Sequence, residues 1–209
     1  MFRNVIWDVD GTLFDTYPAI SHAFRIALAR FGKDAPIELV MELAKCSLSH
    51  CLATLAAMTD VPEPSLDQEF DRCHAQVQFA DQPPFPAVID VCQYVLSVSG
   101  KNVVVTHRGP AGTNGLLCAH GMNHLFSGSI TSTDGYPRKP DPAAFLAAVD
   151  RFGLDPRETI TVGDRGIDVE AGKKAGLFSC LFTSGSPVSQ PDFVFSSYAE
   201  LLRLLRSTN

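Results

Sequence analysis

The sequence predicts an α/β protein: a parallel sheet core, interrupted after its first strand by an all-helical insertion. Three observations carry that prediction. Runs such as VVV at 103–105 and ITV at 160–162 lack polar alternation, as expected for strands covered on both faces. Helical patterns separate these runs, the arrangement that right-handed strand–helix–strand units produce. Between Tyr17 and Gln82 the strand signal disappears, and only helical periodicity remains.

Taken in order, strands are expected at 4–8, 102–106, 128–131, 159–163 and 178–182, with a weaker one at 193–195. Helices are expected over 86–98, 110–120, 141–152, 168–175 and 198–206. Pro142 near the start of one and Gly153 just beyond it fit the preference for proline at helix entry and glycine at exit. Within the insertion, Ile20, Phe24, Ala27, Leu28 and Phe31 form one apolar stripe closed by Gly32. Further helical patterns run over about 37–58 and 65–79, and Pro83-Pro84-Phe85-Pro86 reads as a stiff re-entry linker. The expected division is therefore 1–16 with 84–209 as the α/β core, and 17–83 as the helical insertion.

Composition narrows the function classes. A chain of 209 residues is long enough for one sizeable core with a smaller insert. The formal net charge of −6 and a pI near 5.4 argue against a sequence-independent nucleic-acid binder, while leaving room for a local anion site. The six cysteines (Cys46, Cys51, Cys73, Cys92, Cys118, Cys180) include no C-x-x-C pair, which argues against a zinc site or a disulfide framework. They read as reduced, mostly core thiols of a cytoplasmic protein. Nothing before Val5 resembles a signal peptide, and no apolar run approaches the ~20 residues that span a bilayer, so no membrane partner is expected.

The stretch VIWDVDGTLFDT at 5–16 poses a physical problem. Asp8 and Asp10 follow a buried-strand pattern directly, and an unpaired buried carboxylate costs several kcal/mol, so a turn, a metal or a ligand must compensate them. In open parallel sheets, ligands bind at the carboxyl ends of the strands. The first strand ends in Asp8, the second in Thr106 and the fourth in Gly163-Asp164, and Lys139-Pro140 lies in the loop after the third. Each residue alone has a bland reading. D-V-D-G is compatible with a plain turn, Thr106 with a strand-end cap, Lys139 with a solvated lysine, and Asp164 or Asp168 with a helix cap. An EF-hand is excluded, because Thr12 and Ala19 stand where its loop needs acids. Together, the acids, hydroxyl and lysine at one sheet edge match a site for a metal and a phosphate.

D-V-D-G-T at Asp8–Thr12, Thr106 after VVV, Lys139-Pro140 and G-D-R-G-I-D at Gly163–Asp168 resemble the four motifs of the haloacid dehalogenase superfamily. The resemblance covers nearly the whole chain and implies a Rossmann-like core, with the helical insertion in the place of that family's small cap. In organisation it is similar to phosphoglycolate-phosphatase-like enzymes. It implies Asp8 as nucleophile, forming an aspartyl-phosphate, and Asp10 as general acid and then base. It implies Mg²⁺ held by Asp8, the backbone carbonyl of Asp10, and Asp164, with Asp168 supporting that shell or orienting Lys139. Thr106 and Lys139 would bind the phosphoryl oxygens, joined by His107, and Gly11 would let the chain turn close to them.

Asp10 separates branches of the superfamily: its dehalogenases lack an acid there and its P-type ATPases carry threonine, so aspartate resembles the phosphatases and phosphomutases. The β-phosphoglucomutase type has a cap histidine about twelve residues after the nucleophile. Here Ile20 holds that position and His22 would face another way, which favours hydrolysis of a small phosphomonoester over a sugar phosphomutase reaction. A non-catalytic phosphate-binding relative is the third reading, and the intact Asp8, Asp10, Lys139 and Asp164 argue against it. His107, Arg108 and Arg165 depart from the common pattern. Arg108 would contact a second anionic group of the substrate, or Arg108 and Arg165 would pair with acids such as Asp134 or Glu170. A monomer is favoured over a dimer.

Overall fold

The computed structural model describes residues 2–183, 185 and 189–208. The chain divides into two compact units, one of residues 1–14 and 84–209 and one of residues 15–83.

The first unit is a six-stranded sheet built from β1 (Asn4–Trp7), β2 (Asn102–Val105), β3 (Gly128–Ile130), β4 (Thr159–Gly163), β5 (Phe178–Phe182) and β6 (Phe193–Phe195). All neighbouring pairs are parallel, in the order β3-β2-β1-β4-β5-β6. Alternate side chains of the central strand serve two cores. Val5 and Trp7 pack with α5 (Val88–Ser97), α6 (Pro110–Ala119) and α9 (Tyr198–Ser207), whereas Ile6 packs with α7 (Ala143–Phe152) and α8 (Gly166–Lys174). Two polar groups inside pair with each other and with the backbone: the Trp7 indole donates to Asn102 Oδ1 at 2.9 Å, and the Asn102 amide donates to the Cys92 and Leu125 carbonyls. The parallel sense brings every strand's carboxyl end to one edge. Because successive strands run to one side of β1 and then to the other, the switch point falls between β1 and β4.

The second unit has its own core. Its helices are α1 (Tyr17–Arg30), α2 (Ile37–Cys46), α3 (Leu48–Thr59) and α4 (Glu63–His74). Ile20, Phe24, Ala27 and Leu28 of α1 meet Val40, Leu55, Leu66 and Phe70, and the Phe24 and Phe70 rings stack with centroids 3.8 Å apart. Phe31, counted in the expected stripe, lies outside this core and is 38% exposed.

Three expectations change in detail. The single pattern over 37–58 is two helices, broken where Ser47 adopts an extended conformation and accepts the His50 N–H as an N-cap. The helix expected at 168–175 begins earlier, at Gly166. Only Cys51, Cys92 and Cys180 are buried, so the thiols are less confined to the core than expected, and all six are unpaired. Among the described residues, no helix is long and apolar enough to cross a membrane.

Candidate active site

The loop after β1 is a tight reversal. The Val9 carbonyl accepts the N–H groups of Thr12, Leu13 and Phe14, and the Gly11 N–H returns to the Phe14 carbonyl at 2.9 Å. Gly11 takes φ +72°, a left-handed backbone that glycine adopts without a Cβ penalty. From α9, which shares a core with Val9, Leu13 and Phe14 of the turn, the buried Tyr198 hydroxyl donates to the Thr12 carbonyl and pins the turn. The Asp8 N–H donates to the Val162 carbonyl of β4, fixing the end of β1 at the switch point.

Asp8 and Lys139 are both buried, with side chains 3% and 1% exposed. Lys139 Nζ donates to Asp8 Oδ1 and to Asp168 Oδ1, each at 2.7 Å. Asp8 Oδ2 is buried and has no hydrogen-bond partner. Asp168 spends its second oxygen on the Arg165 N–H at the start of α8. This close approach depends on Gly163, since a Cβ there would lie 2.3 Å from the Asp168 Cβ. Burial raises the Asp8 pKa to about 6; Lys139 pulls it back down, while neighbouring Asp168 adds to the rise. Burial acts to strip the Lys139 proton, but the two carboxylates outweigh it and hold the ammonium above its ordinary range.

Asp164 follows β4, and Thr12 Oγ1 lies 3.4 Å from its Oδ1. Asp8, Asp164 and Asp168 each bring a carboxylate oxygen within 4.8 Å of the others. An all-oxygen donor set with the orphaned Asp8 Oδ2 suits a hard divalent cation. Because Asp168 already serves Lys139 and Arg165, Asp8 and Asp164 are the better ligands of the three. Of the two roles open to Asp168 in the sequence, the geometry supports the orientation of Lys139.

The Asp10 carboxylate turns instead to Arg108, whose Nε lies 3.2 Å from both of its oxygens, with a terminal amino group also on Oδ1. The alternative in which Arg108 pairs with an acid is met in the structure, with Asp10 as the partner in place of Asp134 or Glu170. Asp134 pairs with Arg151 and Glu170 with Lys174, while Arg165 lies 3.9 Å from Asp164 and 4.0 Å from Asp168. Thr106, buried at the end of β2, accepts the Arg108 N–H on its hydroxyl at 3.1 Å.

His107 packs against the Lys139 turn. Its Nε2 accepts the Lys139 N–H at 2.9 Å, and Arg138 lies 3.2 Å from its Nδ1. Burial, then Lys139, Arg138 and Arg165, push its pKa down to about 4. A neutral ring with Nε2 already engaged is a support for the Lys139 turn and a poor anion ligand. Thr12 and Gly163 received no role of their own from the sequence, although both lie inside the motifs that first marked the site.

The family model described as "Haloacid dehalogenase-like hydrolase" matches residues 5–182. The chain belongs to this family. Among curated relatives of this haloacid dehalogenase-like hydrolase, a phosphoglycolate phosphatase of Haemophilus influenzae (strain Rd) is 28% identical over 220 aligned residues, covering 98% of each chain. Another of that name, from Thiobacillus denitrificans, is 28% identical and covers 95% of this chain and 93% of its own. The crystal structure of "a predicted phosphoglycolate phosphatase" from Haemophilus somnus 129pt superimposes with a TM-score of 0.86 at 24% identity, covering 97% of both chains. At that identity the likeness establishes the fold alone.

Proposed function

We propose that this chain is a magnesium-dependent phosphatase that hydrolyses a small phosphomonoester through an aspartyl-phosphate on Asp8. The observation that carries the reading is the state of Asp8: a buried carboxylate at the switch point, with one oxygen held by Lys139 and the other unpartnered. That is the arrangement a carboxylate nucleophile needs, oriented through one oxygen and open at the other.

In the proposed sequence, Asp8 Oδ2 attacks phosphorus while the bond to the ester oxygen breaks. Asp10 gives its proton to the departing oxygen. It then takes a proton from the water that attacks the aspartyl-phosphate, releasing phosphate and restoring Asp8. Lys139 and Thr106 would face the phosphoryl oxygens, and His107 would hold Lys139 in place through its backbone. Asp8, Asp164 and the Asp10 carbonyl would hold magnesium, which when bound neutralises charge on the phosphoryl oxygens. The relatives named phosphoglycolate phosphatase support a small soluble substrate. We assign the helical unit, which leaves the core directly after the Asp8–Asp10 turn, the role of a substrate-selecting cap. Ile20 lies buried in that unit's core and His22 is exposed, so the position of a mutase-type histidine offers no such group, and hydrolysis is favoured. Six free thiols support a reducing, cytoplasmic setting.

The test is a panel of phosphorylated metabolites scored by kcat/KM with magnesium, alongside Asp8→Asn. The variant is expected to keep its fold and to lose on the order of 10⁴-fold or more in kcat. Retained turnover would refute the mechanism.

A further inference from the structure

Asp10 and Arg108 form a different kind of pair from Asp8 and Lys139. The guanidinium fork engages both Asp10 oxygens. The pair is nevertheless reachable by solvent, with side chains 12% and 25% exposed for Arg108 and Asp10. The Arg108 backbone is fixed at both ends, its N–H on Thr106 Oγ1 and its carbonyl accepting the Ser132 N–H at 3.2 Å. Its side chain runs over the bare backbone of Gly112 in α6, where a Cβ would lie 3.2 Å from Cγ and Cδ. A fixed root with an arm laid along a glycine gives a fork that can exchange one anion for another without moving the sheet edge.

While the fork holds Asp10 by both oxygens, Asp10 is kept from the leaving oxygen of a substrate. Water-accessible ion pairs are weak and exchange readily. The planar fork that fits the Asp10 carboxylate fits another carboxylate equally well. We infer that Arg108 is a latch on Asp10, opened when a carboxylate of the substrate takes its place on the fork. The inference rests on the phosphatase reading above and names its substrate class: a phosphomonoester with a carboxylate a few bonds from the ester oxygen. Since the exchange frees a group needed in the reaction, the carboxylate should raise kcat and not only lower KM.

The experiment compares wild type, Arg108→Lys and Arg108→Ala on 2-phosphoglycolate, on ethyl phosphate, and on ethylene glycol bisphosphate. Wild type is expected to turn over phosphoglycolate with a kcat at least about 10-fold above ethyl phosphate, the scale of a charge-assisted contact made in the transition state. Arg108→Ala should lose about 10–100-fold in kcat/KM on phosphoglycolate and gain a few-fold in kcat on ethyl phosphate, so that the preference collapses. Arg108→Lys keeps the charge without the fork and should lie between; with the wild-type preference it decides the matter if Arg108→Ala fails to fold. An equal fall on phosphoglycolate and ethyl phosphate would overturn the latch while leaving the phosphatase reading intact. So would an Arg108 dependence seen with the bisphosphate and not with the carboxylate. Turnover of none of the three would overturn the phosphatase reading and the latch with it.

Discussion

Two carboxylate–cation pairs stand two residues apart on the same turn, and they are built for opposite purposes. Asp8 and Lys139 are dry, and Asp168 shares the same ammonium. Asp10 and Arg108 are partly open to water, and no third residue is bonded to the Arg108 guanidinium among the interactions described. Burial makes the first pair immobile, because separating its charges would strand them away from water. Exposure makes the second exchangeable, because water and other anions compete for it. Immobility suits a nucleophile and exchange suits a group that must come and go, so the sheet edge separates the two roles by depth.

The sharpest way to break that contrast is to remove one cation. Lys139→Met leaves Asp8 and Asp168 facing each other without a counter-charge. In metal-free buffer it should cost about 3–5 kcal/mol in urea unfolding, the usual penalty for breaking a buried pair. Adding Asp8→Asn to that variant should recover part of the loss, because one of the stranded charges goes with it. A cost below about 1 kcal/mol would place Lys139 in the same class as a surface pair and erase the distinction.

Asp10→Asn probes the other member. Stability should change less than for the buried pair, by about 1 kcal/mol, since the pair lost is only partly buried and within reach of water. The rate should fall by about 10²–10⁴, the worth of a positioned proton-transfer group. The fall should be larger for alkyl phosphates, whose leaving oxygen needs the proton, than for p-nitrophenyl phosphate, whose leaving group departs as a stable phenolate. Equal losses on both would remove Asp10 from the proton-transfer step.

Most of this edge was legible in the sequence because it is local. Apolar runs mark the strands, and parallel strands bring their ends together, so Asp8, Thr106, Lys139 and Asp164 converge with no knowledge of contacts. What was not legible depends on side chains meeting across long separations. Arg108 reaches Asp10 over 98 residues, and Lys139 reaches Asp8 over 131. Composition gives several acids to choose among, and only the fold shows that Asp134 and Glu170 are already taken by Arg151 and Lys174. Gly163 is a similar case: its need for a bare Cα is invisible until Asp168 packs against it. The break at Ser47 was hidden for a local reason. A polar residue inside a continuous apolar pattern reads as helix until its side chain is seen to cap the next one.

His107 gives the finest test of the dry side, because it touches that network only through a backbone N–H. Its pKa is pushed from 6.5 down to about 4, so between those values the unfolded chain takes up a proton that the folded ring refuses. The stability it contributes is therefore present above about pH 6.5 and lost as pH falls toward 4. Asp8, raised from 3.8 to about 6, has the opposite sign in an overlapping window: its contribution is full below about pH 3.8 and lost as pH rises through 6. The wild-type curve mixes the two, and the difference between wild type and His107→Gln isolates the histidine. Glutamine can accept the same N–H from Lys139 without titrating. The variant should match wild type near pH 7.5, where the ring is neutral, more closely than at pH 4.5, where the variant should be the more stable of the two, with a shift between them on the order of 1 kcal/mol once the partial exposure of the ring is discounted. His107→Ala, which leaves the Lys139 N–H without its acceptor, should lower kcat at every pH, with rescue by glutamine. A pH-independent difference between wild type and His107→Gln would detach the ring from the Lys139 turn and leave the dry network to Asp8, Lys139 and Asp168.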